Sequence, residues 1–236
     1  MLDIGNTRIK VASDERGDLR SLGAVSREGE WRAGLEALLG AVSGFDSMRV
    51  ATVSTRRDRE VLAFLAGFSV RLSVMDACPS DGPIVCAYAD HRQMGVDRWL
   101  AMYAAFRQEH SAVCVIDAGT AITLDRVDAQ GRHLGGAIIP GIPAMGESLR
   151  ALDLSLGRLR PRLGLGASTQ ECIEAGFGLA IHGLVGTAVR DSDPPPSIWL
   201  TGGDGAYVAR LLGREARVDP LLVLRGLSLI EMGDTA

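Results

Sequence analysis

Lysine is almost missing from this chain of 236 residues: 24 of its 25 basic side chains are arginine, and the remaining one is Lys10. Aromatic residues are sparse at 5% and nowhere interleave with basic ones, so a nucleic acid strand finds no stacking platform. With 29 acidic residues the net charge is -4, which leaves no cationic footprint for nucleic acid or an anionic membrane. Cysteine is limited to Cys78, Cys86, Cys114 and Cys172. These form no Cys-x-x-Cys pair, and with His91, His110, His133 and His182 they match no zinc-binding spacing. They read as free thiols of a reducing compartment. No basic-then-apolar leader opens the chain, and no apolar run approaches the roughly 20 residues of a membrane span. The expectation is a cytoplasmic protein.

What is present is ordinary for a globular protein: 47% hydrophobic and 23% charged residues. The length suits one large domain or two small ones with a sizeable core. Two segments share one design. The first runs from Asp3 to Ala12, through a turn at Asp14–Gly17, then from Leu19 to Val25. The second runs from Val113 to Asp125, through a turn at Asp128–Gly131, then from His133 to Ile139. Both read as β-hairpins, with Asp and Gly supplying the turn chemistry. Asp3 and Asp117, Gly5 and Gly119, Asp14 and Asp128, and Gly17 and Gly131 are each 114 positions apart, which points to an internal duplication.

Between and after the copies, helices are expected at Trp31–Leu39, Asp58–Ala66 (with Ser54 and Thr55 as capping candidates), Asp97–Glu109, Thr169–Val189 and Ala206–Leu212. Strands are expected at Arg49–Val53, Val70–Val74 and Ile198–Thr201, with an irregular Gly-, Pro- and Arg-rich stretch at Gly141–Gly166. Alternating strands and helices argue for an α/β fold. The two hairpin-headed halves argue for two related domains, 1–110 and 111–236, with a cleft between them.

A phosphate chain needs backbone N–H groups brought close, which glycine permits, and a divalent cation that favours carboxylate ligands. Both Asp-x-Gly turns offer these pieces at the end of an apolar strand. Each turn taken alone is more often an ordinary tight turn, and two related copies with Lys10 beside the first reverse that preference. An ammonium is a compact point charge that arginine's planar fork does not replace. Asp97 taken alone reads as a helix cap, Arg98 as a solvated charge, Thr169 as an N-cap and Gly202–Gly203 as a strand-to-helix turn.

In chain order, Asp3-Ile-Gly-Asn-Thr-x-x-Lys10, Gly95-Val-Asp-Arg98, Asp117-Ala-Gly-Thr-Ala121, Gly135-Gly-x-Ile-x-Pro-Gly141 and Ser168-Thr-x-Glu171 together resemble type III pantothenate kinase. That family lies in the superfamily of acetate and sugar kinases, Hsp70 and actin. The resemblance runs from Asp3 to the Leu200–Asp204 segment. It implies two duplicated actin-like (ribonuclease H-like) domains with an interdomain cleft. It implies ATP-dependent phosphorylation of pantothenate, the first step towards coenzyme A, with Mg²⁺, a monovalent cation (K⁺ or NH₄⁺) and a homodimer. Asp3, Ile4, Gly5, Asn6, Thr7, Arg8, Ile9 and Lys10 match the family's first phosphate motif, with Asp3 on the Mg²⁺ side. Thr120 matches the second phosphate motif, and Asp117 the monovalent-cation ligand.

Gly95, Val96, Asp97 and Arg98 match the pantothenate-binding turn, with Asp97 as general base and Arg98 on the substrate carboxylate. Tyr88 and Thr169 match further substrate contacts, and the Gly202–Gly203 turn is implied to lie near the adenosine. Such a first strand usually begins with several apolar residues. Only Met1 and Leu2 precede Asp3, so further residues upstream are expected. Two other readings stay open on the residues alone: a sugar or acyl kinase of the same superfamily, and an accessory factor that has lost turnover.

Overall fold

The computed structural model describes residues 1–42, 44–80, 82–150, 157, 159–190 and 192–230. Contacts divide the chain into two compact units, Met1–Ala104 together with the stretch from Leu221, and Ala105–Pro220.

The first unit is built on β1 (Leu2–Ile4), β2 (Arg8–Glu15), β3 (Asp18–Ser26), β4 (Ser47–Thr52) and β5 (Arg71–Met75), in the order β3-β2-β1-β4-β5. β1 is antiparallel to β2 and parallel to β4, so it is covered along both edges and every one of its side chains is buried. Helices α1 (Trp31–Gly40) and α2 (Arg59–Ala66) cross between the parallel strands. Each buries residues four apart, Leu35 with Leu39 and Val61 with Leu65, which places both on one helix face over the sheet. Removing side chains of this kind from water contributes about 1.5–3 kcal/mol each. Helix α3 (Val96–Glu109) follows β5.

The second unit repeats the plan. β6 (Val113–Ala118), β7 (Ala121–Val127), β8 (His133–Pro140), β9 (Ser197–Thr201) and β10 (Arg217–Val218) lie in the order β10-β9-β6-β7-β8. Read from the other edge this is the order of the first sheet, and β6 is again antiparallel to its hairpin partner and parallel to the next strand in the sheet. Helices α4 (Ile142–Arg150), α5 (Thr169–Arg190) and α6 (Gly205–Leu212) complete it. α7 (Leu222–Leu229) packs on β1 and β4 of the first sheet. There Gly226 lies so close to α3 that a Cβ would stand 2.1 Å from the Leu100 carbonyl oxygen.

The structure changes several expectations. Each expected hairpin is a three-stranded meander, because the Gly5–Thr7 and Gly119–Thr120 turns break the first run into two strands. The Gly141–Gly166 stretch opens with a helix, α4, and its 151–156 portion lies outside the described residues. Thr169 is the first residue of α5, but Ser168 does the capping: its Oγ accepts from the Glu171 N–H at 3.3 Å while the Glu171 side chain accepts from the Ala167 N–H at 2.7 Å. α5 is also 22 residues long and apolar enough to cross a membrane by length and composition. Its glycines, His182 and Thr187 divide the apolar run, which is why no such span is visible in the sequence. It also buries Ile181, Val185 and Val189 in the core of the second unit.

Candidate functional site

Ile4 and Ile9, the last and first paired residues of β1 and β2, anchor the first turn by placing fully buried side chains in the core. They can meet a ligand only through their backbone. Between them Gly5 is half-buried and Asn6, Thr7 and Arg8 are exposed. The turn closes on a Gly5 N–H bond to the Arg8 carbonyl at 3.0 Å. Asp3 and Lys10 are direct cross-strand partners, and Lys10 Nζ stands 3.9 Å from Asp3 Oδ2. The Asp3 carboxylate is buried while the ammonium remains partly exposed.

Two residues to which the sequence gives no part in this turn hold it. Arg27, just past β3, donates from Nη1 to the Gly5 carbonyl at 3.0 Å, and its backbone N–H donates to the Thr7 carbonyl at 2.9 Å. The same Nη1 lies 2.5 Å from Asp58 Oδ1. Asp58 is fully buried at the N-cap of α2, and its side chain makes no cap bond. It accepts instead from the Thr52 hydroxyl at 2.5 Å and from Arg57 Nε at 3.0 Å. Burial pushes this carboxyl up, but the bonds from Arg57, Thr52 and Arg27 outweigh it and hold Asp58 below the ordinary carboxylate value. Arg57 also donates to the Asn6 side-chain oxygen. An Asp three residues ahead of an apolar helix run reads as a cap, and nothing local points to a partner at position 27.

The second turn is held by backbone proximity. The Gly119 N–H donates to the Ala121 carbonyl at 2.9 Å, and the Gly141 N–H donates to the Thr120 carbonyl at 3.0 Å. A Cβ on Gly141 would fall 2.2 Å from the Gly119 carbonyl oxygen. Gly202 has φ +88, and a Cβ there would fall 2.3 Å from Asp117 Oδ1 and 2.4 Å from the Ala118 carbonyl oxygen. Asp117 pairs in parallel register with Thr201, so their side chains share a sheet face. Thr201 is fully buried and its hydroxyl has no partner among the described residues. A buried hydroxyl oxygen in that state is an unusual cost, and it is available to a hard cation beside the carboxylate. A cavity of about 560 Å³ runs past Gly203 and Asp204 between Ile142, Pro143, Tyr207 and Arg210.

The Gly95–Arg98 turn leads into α3, whose first residue Val96 is buried. A Cβ on Gly95 would approach Asp97 Oδ1 to 2.6 Å, so glycine leaves room for that carboxylate. Asp97 Oδ1 accepts the Arg98 N–H at 2.8 Å in the first helical turn. Arg98 Nη1 donates to the Tyr88 hydroxyl at 3.0 Å, and the guanidinium lies 5.9 Å from the Tyr88 ring centre. The structure thus brings Tyr88, Asp97 and Arg98 together. Thr169 is exposed at the start of α5 in the other unit, alongside Asp117 and Thr120 in that unit's share of the predicted residues. Burial pushes the Cys78 and Cys114 thiols up to about 12, which suits inert buried thiols.

The profile of the type III pantothenate kinase family matches residues 1–191. A type III pantothenate kinase of Marinobacter nauticus is 35% identical over 241 residues, covering 98% of this chain and 96% of the relative. Among solved structures, a Campylobacter jejuni protein assigned to the Baf family of transcriptional activators superposes with a TM-score of 0.65 at 22% identity, covering 96% of this chain and 94% of that one. A 2-dehydro-3-deoxygalactonokinase structure from Sinorhizobium meliloti superposes with a TM-score of 0.55 at 15% identity, covering 96% of each chain. These two likenesses show the actin-like fold.

Proposed function

The chain belongs to the type III pantothenate kinase family, whose members phosphorylate pantothenate with ATP at the head of coenzyme A synthesis, and from that premise we propose how its own residues carry the reaction. The observation that carries the assignment is the Tyr88–Asp97–Arg98 grouping at the start of α3. A guanidinium fork suits the substrate's planar carboxylate, and the tyrosine hydroxyl fixes the fork's orientation. Asp97, in the adjoining position, accepts the proton of the primary hydroxyl as the oxygen attacks the γ-phosphorus of ATP and ADP departs. Phosphoryl transfer rests mainly on positioning and charge stabilisation, so the base orients the hydroxyl as much as it deprotonates it. Gly95, Val96 and Thr169 complete the substrate contacts.

Asn6, Thr7, Arg8 and Lys10, with the backbone from Asp3 to Ile9, take the phosphates in the first unit, and Thr120 does so in the second. Magnesium is held by one or two carboxylates together with phosphate oxygens and water. Among the described residues no group of three or more His, Cys, Asp or Glu side chains could hold a metal, and one carboxylate, that of Asp3, would suit an ion held mainly by phosphate and water. When bound, it neutralises phosphate charge. Asp117 with the unpartnered Thr201 hydroxyl fits a monovalent cation, K⁺ or NH₄⁺. The cavity beside Gly203 takes the adenosine. Each of the two units then owns one phosphate turn. The enzyme works in the cytoplasm as a homodimer, and the apolar length of α5, with Leu179 exposed, supports that helix as the pairing surface.

A coupled ADP-release assay tests the assignment: ADP forms only with pantothenate present, and faster in K⁺ than in Na⁺. Asp97→Asn is expected to lower kcat by about 10²–10⁴-fold with an unchanged melting temperature. Normal turnover in that variant removes Asp97 as the base.

A further inference from the structure

We propose that Arg27 and Asp58 are positioning residues for the first phosphate turn, holding its backbone so that the Asn6 N–H faces the nucleotide. The proposal rests on the reading that this turn takes the phosphates of ATP, and it adds two residues that no motif of the chain includes.

The turn lies at the surface, with Asn6, Thr7 and Arg8 exposed. Asn6 and Thr7 place no side chain in the core, and within the turn the Gly5 N–H bonds the Arg8 carbonyl. Arg27 then ties down two carbonyls on either side of Asn6, Gly5 through its side chain and Thr7 through its backbone. A trans peptide is planar, with its carbonyl and its N–H pointing in opposite directions. Holding the Gly5 carbonyl on Arg27 therefore turns the Asn6 N–H to the far side of the turn, where an anion can collect it.

An arginine can do this only if its own position is fixed, and that is the part Asp58 plays. The carboxylate is fully buried and anchored by the Thr52 hydroxyl at the end of β4. From there it reaches Arg27 at 2.5 Å and Arg57 Nε at 3.0 Å. Arg57 in turn bonds the Asn6 side chain, so one buried charge orients groups on both the backbone and the side chain of the turn. The position of Asp58 would suit a helix cap, yet its side chain makes no cap bond. Its carboxylate is turned to the arginines instead. A charge buried without partners is costly, so each of the three is held in place by the others.

The test uses the full-length enzyme and steady-state kinetics in both substrates. Arg27→Met is expected to raise KM for ATP about tenfold or more while KM for pantothenate stays within about twofold, and Arg27→Lys is expected to recover most of that loss. Lys10→Ala, which alters the turn itself, is the reference. An unchanged KM for ATP in a folded Arg27→Met enzyme, with KM raised in Lys10→Ala, overturns the positioning role and leaves the phosphate turn standing. An unchanged KM for ATP in both variants overturns the phosphate-turn reading and this proposal with it. Equal rises in both KM values together with a lower melting temperature also overturn it, since they mark a purely structural role. If Arg27→Met does not fold, Thr52→Val loosens Asp58 without removing a charge and is expected to raise KM for ATP alone. A pantothenate effect of the same size there overturns the proposal.

Discussion

The two meanders share strand order and an Asp-x-Gly turn, yet they hold those turns by different means. In the first unit Arg27, Asp58 and Arg57 grip the turn through charged side chains gathered from just past β3 and from the loop that caps α2. In the second, Gly141 and Gly202 let bare backbone close on the turn, and no side chain larger than hydrogen fits at either place. The equivalent aspartates differ in the same way: Asp3 faces an ammonium across its hairpin, whereas Asp117 faces Thr123 there and the unpartnered Thr201 on the parallel side. A duplicated scaffold conserves where a turn lies, while what secures it can be exchanged. One turn is exposed to acid and salt, and the other to added volume.

Adding a methyl group to the second turn should break the comparison most severely. Gly202→Ala combines a positive φ with contacts at 2.3 and 2.4 Å. Its expected cost is roughly 3 kcal/mol or more, seen as a melting temperature lower by about 6–12 °C in a thermal scan, with loss of turnover. An alanine at Gly5, whose nearest contact is 3.1 Å, should be milder.

Acid should act on the other turn. The Asp58 carboxyl lies below its ordinary value in the folded protein, so its bonds add stability that is complete above the unfolded value of about 3.9. That stability is lost as pH falls further, through the depressed folded value. Hydrogen exchange is expected to show the Gly5 amide losing protection below about pH 4. Asp58→Asn should lower the stability at neutral pH and flatten this acid dependence. An acid dependence unchanged in Asp58→Asn would assign it to other carboxylates.

The smallest effect is expected at Thr201→Val. Removing an unpaired buried hydroxyl should stabilise the enzyme by about 1 kcal/mol, while the K⁺ concentration for half-maximal rate rises several-fold. Stabilisation without any K⁺ effect would make the hydroxyl a packing defect and remove it from the cation site.

Much of this arrangement was legible because it is local. Apolar runs ended by Asp-x-Gly marked both turns, and the constant spacing between copies anticipated the matching sheets. Gly95–Arg98 stood out only as part of the ordered set of motifs, since Asp97 alone looks like a cap and Arg98 like a surface charge. Pairings across irregular chain were not legible: Arg27 and Asp58 belong to different elements, and each alone looks like a surface charge or a cap. Helix α4 was hidden because Pro143 and Gly146 depress helical propensity, although proline is tolerated in a first turn. α7 has Gly226 in its middle, and β10 is only two exposed residues, so neither carries a periodic signal. The Ser168 cap shows how fine the limit is, since two neighbouring hydroxyls both fit the pattern and only geometry chooses between them.

The pairing of Asp3 with Lys10 has a practical side. Because this ammonium is the chain's single lysine and remains partly exposed, an amine-selective acylating reagent has one side-chain target besides the terminal amine. A fluorophore attached there would sit at the first turn without any engineered residue. Protection of that amine by nucleotide would then give an occupancy measurement independent of turnover.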